Sequence, residues 1–181
     1  LHDALPISWN NSASLNFQSL DASLYRPVGG QSSAFVYTGP TNSSLQTKIY
    51  GVLSNVLGLT VCTSGGNTGE HCSTVIDELF VSKNISDGNG QFLYTVTNLI
   101  GGHVVVSGTG FAPGDSGGPV YGSSSFVGSS PYRASGIISA GTLAQTCAGI
   151  PILGNSNSCF SKEYWVDAST IFANLNLSIA P

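Results

Sequence analysis

The sequence predicts an all-β protein that ends in one short helix. Short runs rich in β-branched and aromatic residues recur between clusters of Gly, Ser, Asn and Pro, and no stretch shows a sustained 3.6-residue period until the C-terminus. Strands of that length and spacing are typical of antiparallel sandwiches and barrels. The 181 residues are enough to bury the core of one domain or of a compact two-lobed one.

Nine strands are predicted, at residues 14–17, 34–37, 48–52, 74–79, 92–97, 103–107, 119–121, 134–139 and 163–166. The Asp-Gly-Asn-Gly sequence at 87–90 predicts a turn between two of them. The sequence Gly-Pro-Thr-Asn-Ser-Ser at 39–44 predicts a connection between two lobes.

The helix is predicted from apolar spacing near the C-terminus. Ile171, Phe172 and Leu175 recur at helical spacing, and either Asp167 or Ser169 can cap the first turn. A single C-terminal helix follows from this pattern.

The composition excludes several classes of partner. Only 8% of residues are charged, there are five Lys and Arg residues, and the net charge is −4, which leaves no basic face for nucleic acid or anionic lipid. No apolar run approaches the ~18 residues of a membrane span. The hydrophobic share of 41% argues against disorder. We therefore expect a folded chain with neither nucleic acid nor membrane as a partner.

The four cysteines indicate a secreted protein. Cys62, Cys72, Cys147 and Cys159 are spaced as C-x9-C and C-x11-C, without the C-x-x-C pairs of a zinc site. Of the three possible pairings, two local disulfides, Cys62–Cys72 and Cys147–Cys159, are the simplest, and each contributes roughly 3 kcal/mol on the loop-entropy model. Four buried thiols in a cytosolic domain are the alternative. We expect no metal and no cofactor.

The first seven residues, LHDALPI, match the translation of a common sequencing adapter, and the eighth, Ser8, would be set by the join. We therefore expect residues 1–8 to be such a read-through. His2 and Asp3 then carry no function. Because the chain also contains no Met, we expect it to be part of a longer protein.

The sequence PGDSGGPV at 113–120 carries the most chemical information. A serine nucleophile needs a hydroxyl exposed at a sharp turn and backbone N–H groups directed at the oxygen of the attacked carbonyl. Glycines on both sides of Ser116 permit that turn. The octet resembles the nucleophile motif of chymotrypsin-like serine proteases. The resemblance implies Ser116 as nucleophile, with the N–H groups of Gly114 and Ser116 as the oxyanion hole.

Two further segments extend the resemblance to the secreted bacterial streptogrisin and α-lytic proteases. VCTSGGNTGEHC at 61–72 is similar to a disulfide-closed loop that opens their second barrel, and GIISAG at 136–141 is similar to the strand that pairs with bound peptide. This implies substrate binding by Ser139, Ala140 and Gly141.

Residues 14–178 are covered by the resemblance, which implies a two-barrel chymotrypsin-like fold with an incomplete N-terminal barrel and a short C-terminal helix. We expect residues 9–46 to be a remnant of the N-terminal barrel and residues 47–181 to form the C-terminal barrel and helix.

Of the other two catalytic residues of this family, the sequence offers a candidate for the aspartate but none for the histidine. LDASL at 20–24 resembles the family segment that supplies the carboxylate orienting the histidine, which implies this role for Asp21. The family's T-A-x-H-C motif is absent. His71 and His103 follow Asp21, the wrong order for this family; we expect local hydrogen bonds or solvent for His71, with a pocket role for His103 as a lesser alternative. The general-base histidine is expected in a missing upstream part, which would leave this fragment nearly inactive.

The resemblance also predicts a neutral, apolar specificity pocket, walled by residues 139–141 and 110–113. Gly110 stands where trypsin-like enzymes place an acid, and Phe111 stands near a common cysteine position. Relatives often place an Arg at the position of Thr63 to pair with the acid of the nucleophile motif, so the partner of Asp115 stays open.

The sequence as a whole predicts a secreted, monomeric serine endopeptidase acting on polypeptides. One alternative is a pseudoprotease that uses the same scaffold for binding. The other is a β-rich cell-surface or carbohydrate-binding module, which needs clustered exposed Trp or Tyr, whereas Trp9 and Trp165 are few and far apart.

Overall fold

A computed structural model describes residues 10–14, 22–26, 33–86, 90–123, 131–148 and 158–179. The elements in these ranges are β1 (Asn10–Ser14), β2 (Ser23–Arg26), β3 (Phe35–Tyr37), β4 (Gln46–Val52), β5 (Thr60–Gly65), β6 (Gly69–Ser86), β7 (Phe92–Val104), β8 (Pro119–Gly122), β9 (Tyr132–Thr146), β10 (Ser158–Asp167) and α1 (Ala168–Leu175). The prediction of an all-β chain with one C-terminal helix is confirmed.

Six strands close into a barrel. Antiparallel pairing runs in the order β10-β7-β6-β5-β8-β9, and β9 pairs with β10 to complete the ring. β4 joins the start of β9 in parallel, and β3 joins β4, while β1 and β2 form a separate two-stranded sheet. Since a closed ring leaves no free outer strand, the barrel gives the loops at its ends a rigid base.

The barrel interior is packed around Trp165, which is fully buried and donates its indole N–H to the Ser135 hydroxyl at 2.9 Å. Its apolar neighbours are Leu53, Val61, Ile76, Ile100, Phe111, Val120 and Ile138. A second apolar cluster, which includes Leu99, Val166 and Ile171, lies between β7, β10 and α1. Ala22 packs against this second cluster, so the segment that carries β2 contacts the helix side of the barrel.

Several strand predictions were wrong: β2 and β5 were not predicted, and β6, β9 and β10 extend well beyond the predicted ranges 74–79, 134–139 and 163–166. The prediction also divided one strand in two. Residues 92–97 and 103–107 were predicted as two strands, but β7 runs without a break to Val104, and residues 105–106 bend. The Gly101-Gly102 pair does not end the strand. A Cβ at Gly101 would lie 2.9 Å from the Tyr164 ring, and one at Gly102 would lie 3.1 Å from the Trp165 ring. Glycine therefore allows two aromatic rings of β10 to pack against the backbone of β7.

Both predicted disulfides are formed: Cys62–Cys72 and Cys147–Cys159. Cys62–Cys72 joins β5 to β6 beside the turn that connects them, and Cys147–Cys159 joins the end of β9 to the start of β10. Each bridge therefore fixes a β-strand connection at an end of the barrel.

Asp167 caps α1 and is buried. Its Oδ2 accepts the Thr170 N–H at 2.8 Å, and its Oδ1 accepts the Asn55 amide at 2.8 Å. We expect Asp167→Ala to lower the free energy of unfolding by about 2 kcal/mol, because it removes the cap and leaves buried donors unpaired. Urea denaturation measures this. Ser178→Ala, at an exposed position beyond the helix, is the control; equal values for both variants would contradict the cap.

Candidate active site

The candidate site is built on a buried carboxylate in the connection from β7 to β8. Asp115 is 1% exposed, and four donors surround it. Its Oδ1 accepts the N–H groups of Asn67 and Thr68 at 2.6 and 3.1 Å. Its Oδ2 accepts the Thr68 hydroxyl at 2.7 Å and the Ala112 N–H at 2.8 Å. The partner that the sequence left open is therefore the β5–β6 turn, where Asn67 and Thr68 donate to Asp115, and not Thr63, at whose position relatives often carry an Arg.

The Asp115 side chain fits only because glycine lies beneath it. A Cβ on Gly65 would lie 2.1 Å from the Asp115 carboxyl carbon, so any side chain there would displace the carboxylate. The Asn67 amide also donates to the Pro113 carbonyl at 2.9 Å. The turn 65–68 thus holds the β7–β8 connection at two residues, Asp115 and Pro113.

The backbone around Ser116 has the sharp turn that the sequence predicted. Gly114 and Gly117 have φ of 98° and 85°, the left-handed region that favours glycine. The Gly117 N–H donates to the Ile138 carbonyl, and the Ile138 N–H donates to the Gly118 carbonyl, both at 2.9 Å. These bonds attach the loop to β9 immediately after the serine.

Ser116 itself is half-buried, and no hydrogen bond to its hydroxyl is present in the described part of the chain. The N–H groups of Gly114 and Ser116 likewise donate to no described atom. The loop is therefore anchored at Asp115 and Gly117, while the Ser116 hydroxyl and the N–H groups of Gly114 and Ser116 have no hydrogen-bond partner among the described residues.

β9 presents an open edge next to this loop. On the β8 side its pairing ends at Ile137, which faces Pro119, and the two Ile138 bonds follow. Beyond that point the described strands pair with β9 only on its other side, where Glu163 lies opposite Gly141. A strand added along residues 139–141 would continue the line of β8 and end beside Ser116.

Solved structures with a similar fold include several serine proteases. A chymotrypsin from Cellulomonas bogoriensis is 24% identical over 87% of this chain and 68% of its own, with a TM-score of 0.58. A glutamic acid specific serine protease is 18% identical over 93% and 72%, with a TM-score of 0.63. A Nocardiopsis protease is 22% identical over 82% and 61%, with a TM-score of 0.51.

The chain has the chymotrypsin-like fold. No protein-family model and no curated protein matches the sequence.

Within the chymotrypsin-like fold, not every predicted site residue can be located. Asp21 and His2 lie outside the described residues. His71 hydrogen-bonds locally, as expected, through Nε2 to the Thr68 carbonyl at 2.9 Å, and burial lowers its pKa. His103 is exposed and pairs with Asp77 on β6 at 2.9 Å. Neither described histidine contacts Ser116.

The structure places a second carboxylate under the loop, where the sequence indicated no acid. Glu163 on β10 is fully buried; its Oε1 accepts the Phe111 N–H at 2.8 Å, and its Oε2 accepts the Thr74 hydroxyl at 2.6 Å. Burial raises its pKa to about 7, and the nearby charge of Asp115 adds to the rise. Glu163 is 47 positions after Ser116 in sequence, so the absence of an acid at position 110 did not exclude one nearby in space.

Thr68 and Asn67 were also missed as site residues. Their only sequence signal is the Asn-Thr-Gly turn inside the segment 61–72, which the resemblance already assigned to a loop. Nothing in that segment identifies which group reaches Asp115, because the contact spans 47 residues.

We expect Thr68→Val to lower the free energy of unfolding by about 2 kcal/mol, because it keeps the side-chain shape but removes a hydroxyl donor from a buried carboxylate. Thr68→Ser retains the hydroxyl and is the matched control. Urea denaturation of both variants checks this. A Val variant as stable as the Ser variant would show that the hydroxyl contributes nothing.

Glu163 predicts a pH dependence of stability. Because its folded-state pKa of about 7 lies above the ordinary value of 4.5, the folded protein retains a proton that the unfolded chain has already released. The free energy of unfolding therefore falls as pH rises through this window, by about 3 kcal/mol. Glu163→Gln keeps both hydrogen-bonding positions without titrating. Urea denaturation at about pH 4 and about pH 8 should show a smaller fall in the Gln variant; equal falls would contradict the assignment.

Proposed function

We propose that this chain carries the nucleophile and substrate-binding half of a secreted serine endopeptidase. Its protease-like fold supports this, and the single observation that carries it is the loop held at Asp115, with a half-buried Ser116 hydroxyl and unpaired N–H groups at Gly114 and Ser116. A polypeptide adds to the edge of β9 at residues 139–141, with its scissile carbonyl at Ser116.

In this mechanism Ser116 Oγ attacks the carbonyl carbon and forms an acyl-enzyme, which water then hydrolyses. The oxyanion accepts hydrogen bonds from the Gly114 and Ser116 N–H groups in both steps. A histidine takes the proton from Ser116 and passes it to the leaving amine, and Asp21 orients that histidine. Neither His71 nor His103 hydrogen-bonds to Ser116, so the proposal assigns the base to a histidine other than these two, and a fragment without that histidine would be nearly inactive.

The pseudoprotease alternative has an observation in its favour, the absence of a histidine beside Ser116 among the described residues. Such a protein would bind peptide along β9 without cleaving it. The cell-surface module loses one of its two tryptophans, because Trp165 is completely buried in the barrel. Among the described residues, Tyr37 and Tyr50 on β3 and β4, 61% and 55% exposed, are the exposed tyrosines that such a module could use.

The deciding experiment is labelling of the full-length parent protein by a fluorophosphonate probe, which reacts with an activated serine. We expect wild type and Ser86→Ala, an exposed serine at the end of β6, to be labelled equally, and Ser116→Ala to lose labelling entirely. Because the probe bonds covalently to the nucleophile, we expect the labelling rate of Ser116→Ala to be lower than that of wild type by about 10³-fold or more.

Labelling that survives in Ser116→Ala would contradict the assignment of the nucleophile. An unlabelled wild type that still binds peptide would establish the pseudoprotease. An unlabelled wild type that binds insoluble polysaccharide would establish the module.

A further inference from the structure

The space in which the resemblance predicted a specificity pocket is filled in part by the chain's own side chains. The resemblance predicted an apolar pocket between residues 139–141 of β9 and residues 110–113 of the loop, for the residue that precedes the cleaved bond (P1). The start of β10 lies between those two walls, and Phe160 contacts both of them. The following inference rests on the proposed function, because it concerns the substrate class of the same site.

Phe160 contacts both walls. Its N–H donates to the Phe111 carbonyl at 2.9 Å, and a Cβ on Gly110 would lie 1.8 Å from its carbonyl oxygen. A Cβ on Gly141 would lie 2.3 Å from its ring carbon Cγ. The backbone of Phe160 is therefore bound to the loop wall, and its ring lies flush against the strand wall at Gly141.

The layer beneath Phe160 is closed as well. The Phe111 ring meets the Phe160 ring edge-on with centroids 5.7 Å apart, and Phe111 is 2% exposed within the barrel core. Glu163 lies opposite Gly141 in the strand register and is buried. Its carboxylate accepts hydrogen bonds from the Thr74 hydroxyl and the Phe111 N–H. Phe160 is only half-buried, so its ring is the surface that an incoming side chain meets.

We propose that Phe160 is a specificity-determining residue that makes the P1 pocket shallow, so that this site takes polypeptides with a small P1 side chain (Gly, Ala or Ser). A Leu or Phe side chain at P1 would have to displace a ring that packs between Gly141 and Phe111. Differences of one or a few methylene groups in an apolar pocket change recognition by roughly 10- to 200-fold. The exclusion is steric and needs no charge.

The test measures peptide binding without chemistry, so that it does not depend on the catalytic histidine. The ligands are three N-acetylated tetrapeptides that differ only in a last residue of Ala, Leu or Phe and end in a free carboxylate, as a cleavage product does. Dissociation constants for the full-length parent are measured by titration calorimetry. We expect wild type to bind the Ala peptide at least about tenfold more tightly than the Leu and Phe peptides.

The variants separate the role of Phe160 from general packing. Phe160→Ala should tighten binding of the Leu and Phe peptides by about tenfold or more and leave the Ala peptide little changed. Phe160→Leu retains an apolar side chain over Gly141 and should give an intermediate gain, which keeps the test available if the Ala variant fails to fold. Phe92→Ala, at the exposed start of β7, is the matched control and should behave as wild type. Circular dichroism checks folding of each variant.

Three results would overturn the inference: equal wild-type binding of all three peptides, no wild-type binding of any of them, or no gain for large residues in either folded Phe160 variant. The fluorophosphonate labelling of Ser116 judges the proposed function separately. A labelled protein that prefers the Phe peptide would refute the shallow pocket and leave the protease intact.

Discussion

The burial of the Asp115 carboxylate is the constraint on which the site depends. A carboxylate removed from water is tolerated only when hydrogen bonds replace its hydration, and here four donors from the turn 65–68 and the loop itself supply them. The turn can supply them because the Cys62–Cys72 disulfide closes β5 and β6 around it. The position of Ser116 is thus set by the turn, through the one residue that precedes it.

A second carboxylate under the same loop makes the arrangement electrostatically asymmetric. Glu163 accepts the N–H of Phe111, and Asp115 accepts that of the next residue, Ala112. Asp115 accepts hydrogen bonds from four donors, whereas Glu163 accepts from two, the Phe111 N–H and the Thr74 hydroxyl. Burial, and after it the neighbouring charge of Asp115, raise the pKa of Glu163 to about 7, so Glu163 keeps its proton over much of the acidic range.

The sequence predicted what local pattern controls. The cysteine spacing predicted both disulfides, the positive φ of Gly114 and Gly117 agrees with the turn expected around Ser116, and Asp167 caps the predicted helix. It failed where contacts join distant segments. Thr68 reaches Asp115 across 47 residues and Glu163 reaches Phe111 across 52, and no periodicity records such pairs. The false break predicted in β7 at Gly101 and Gly102 has the same origin, since the aromatic rings that require those glycines lie on β10.

In the proposed protease, a shallow pocket next to β9 would determine how the site selects its ligand. A polypeptide paired with residues 139–141 would be held by main-chain hydrogen bonds, which give affinity without reading side chains. Discrimination between ligands would then come from steric exclusion. The Phe160 ring would exclude large P1 side chains and add little binding energy of its own. Because Phe160 is tied through its N–H to Phe111, and Phe111 through its own N–H to Glu163, the surface that excludes bulk and the loop that carries Ser116 share one set of supports. In the proposed protease, the specificity residue and the nucleophile loop are therefore joined by hydrogen bonds at the start of β10.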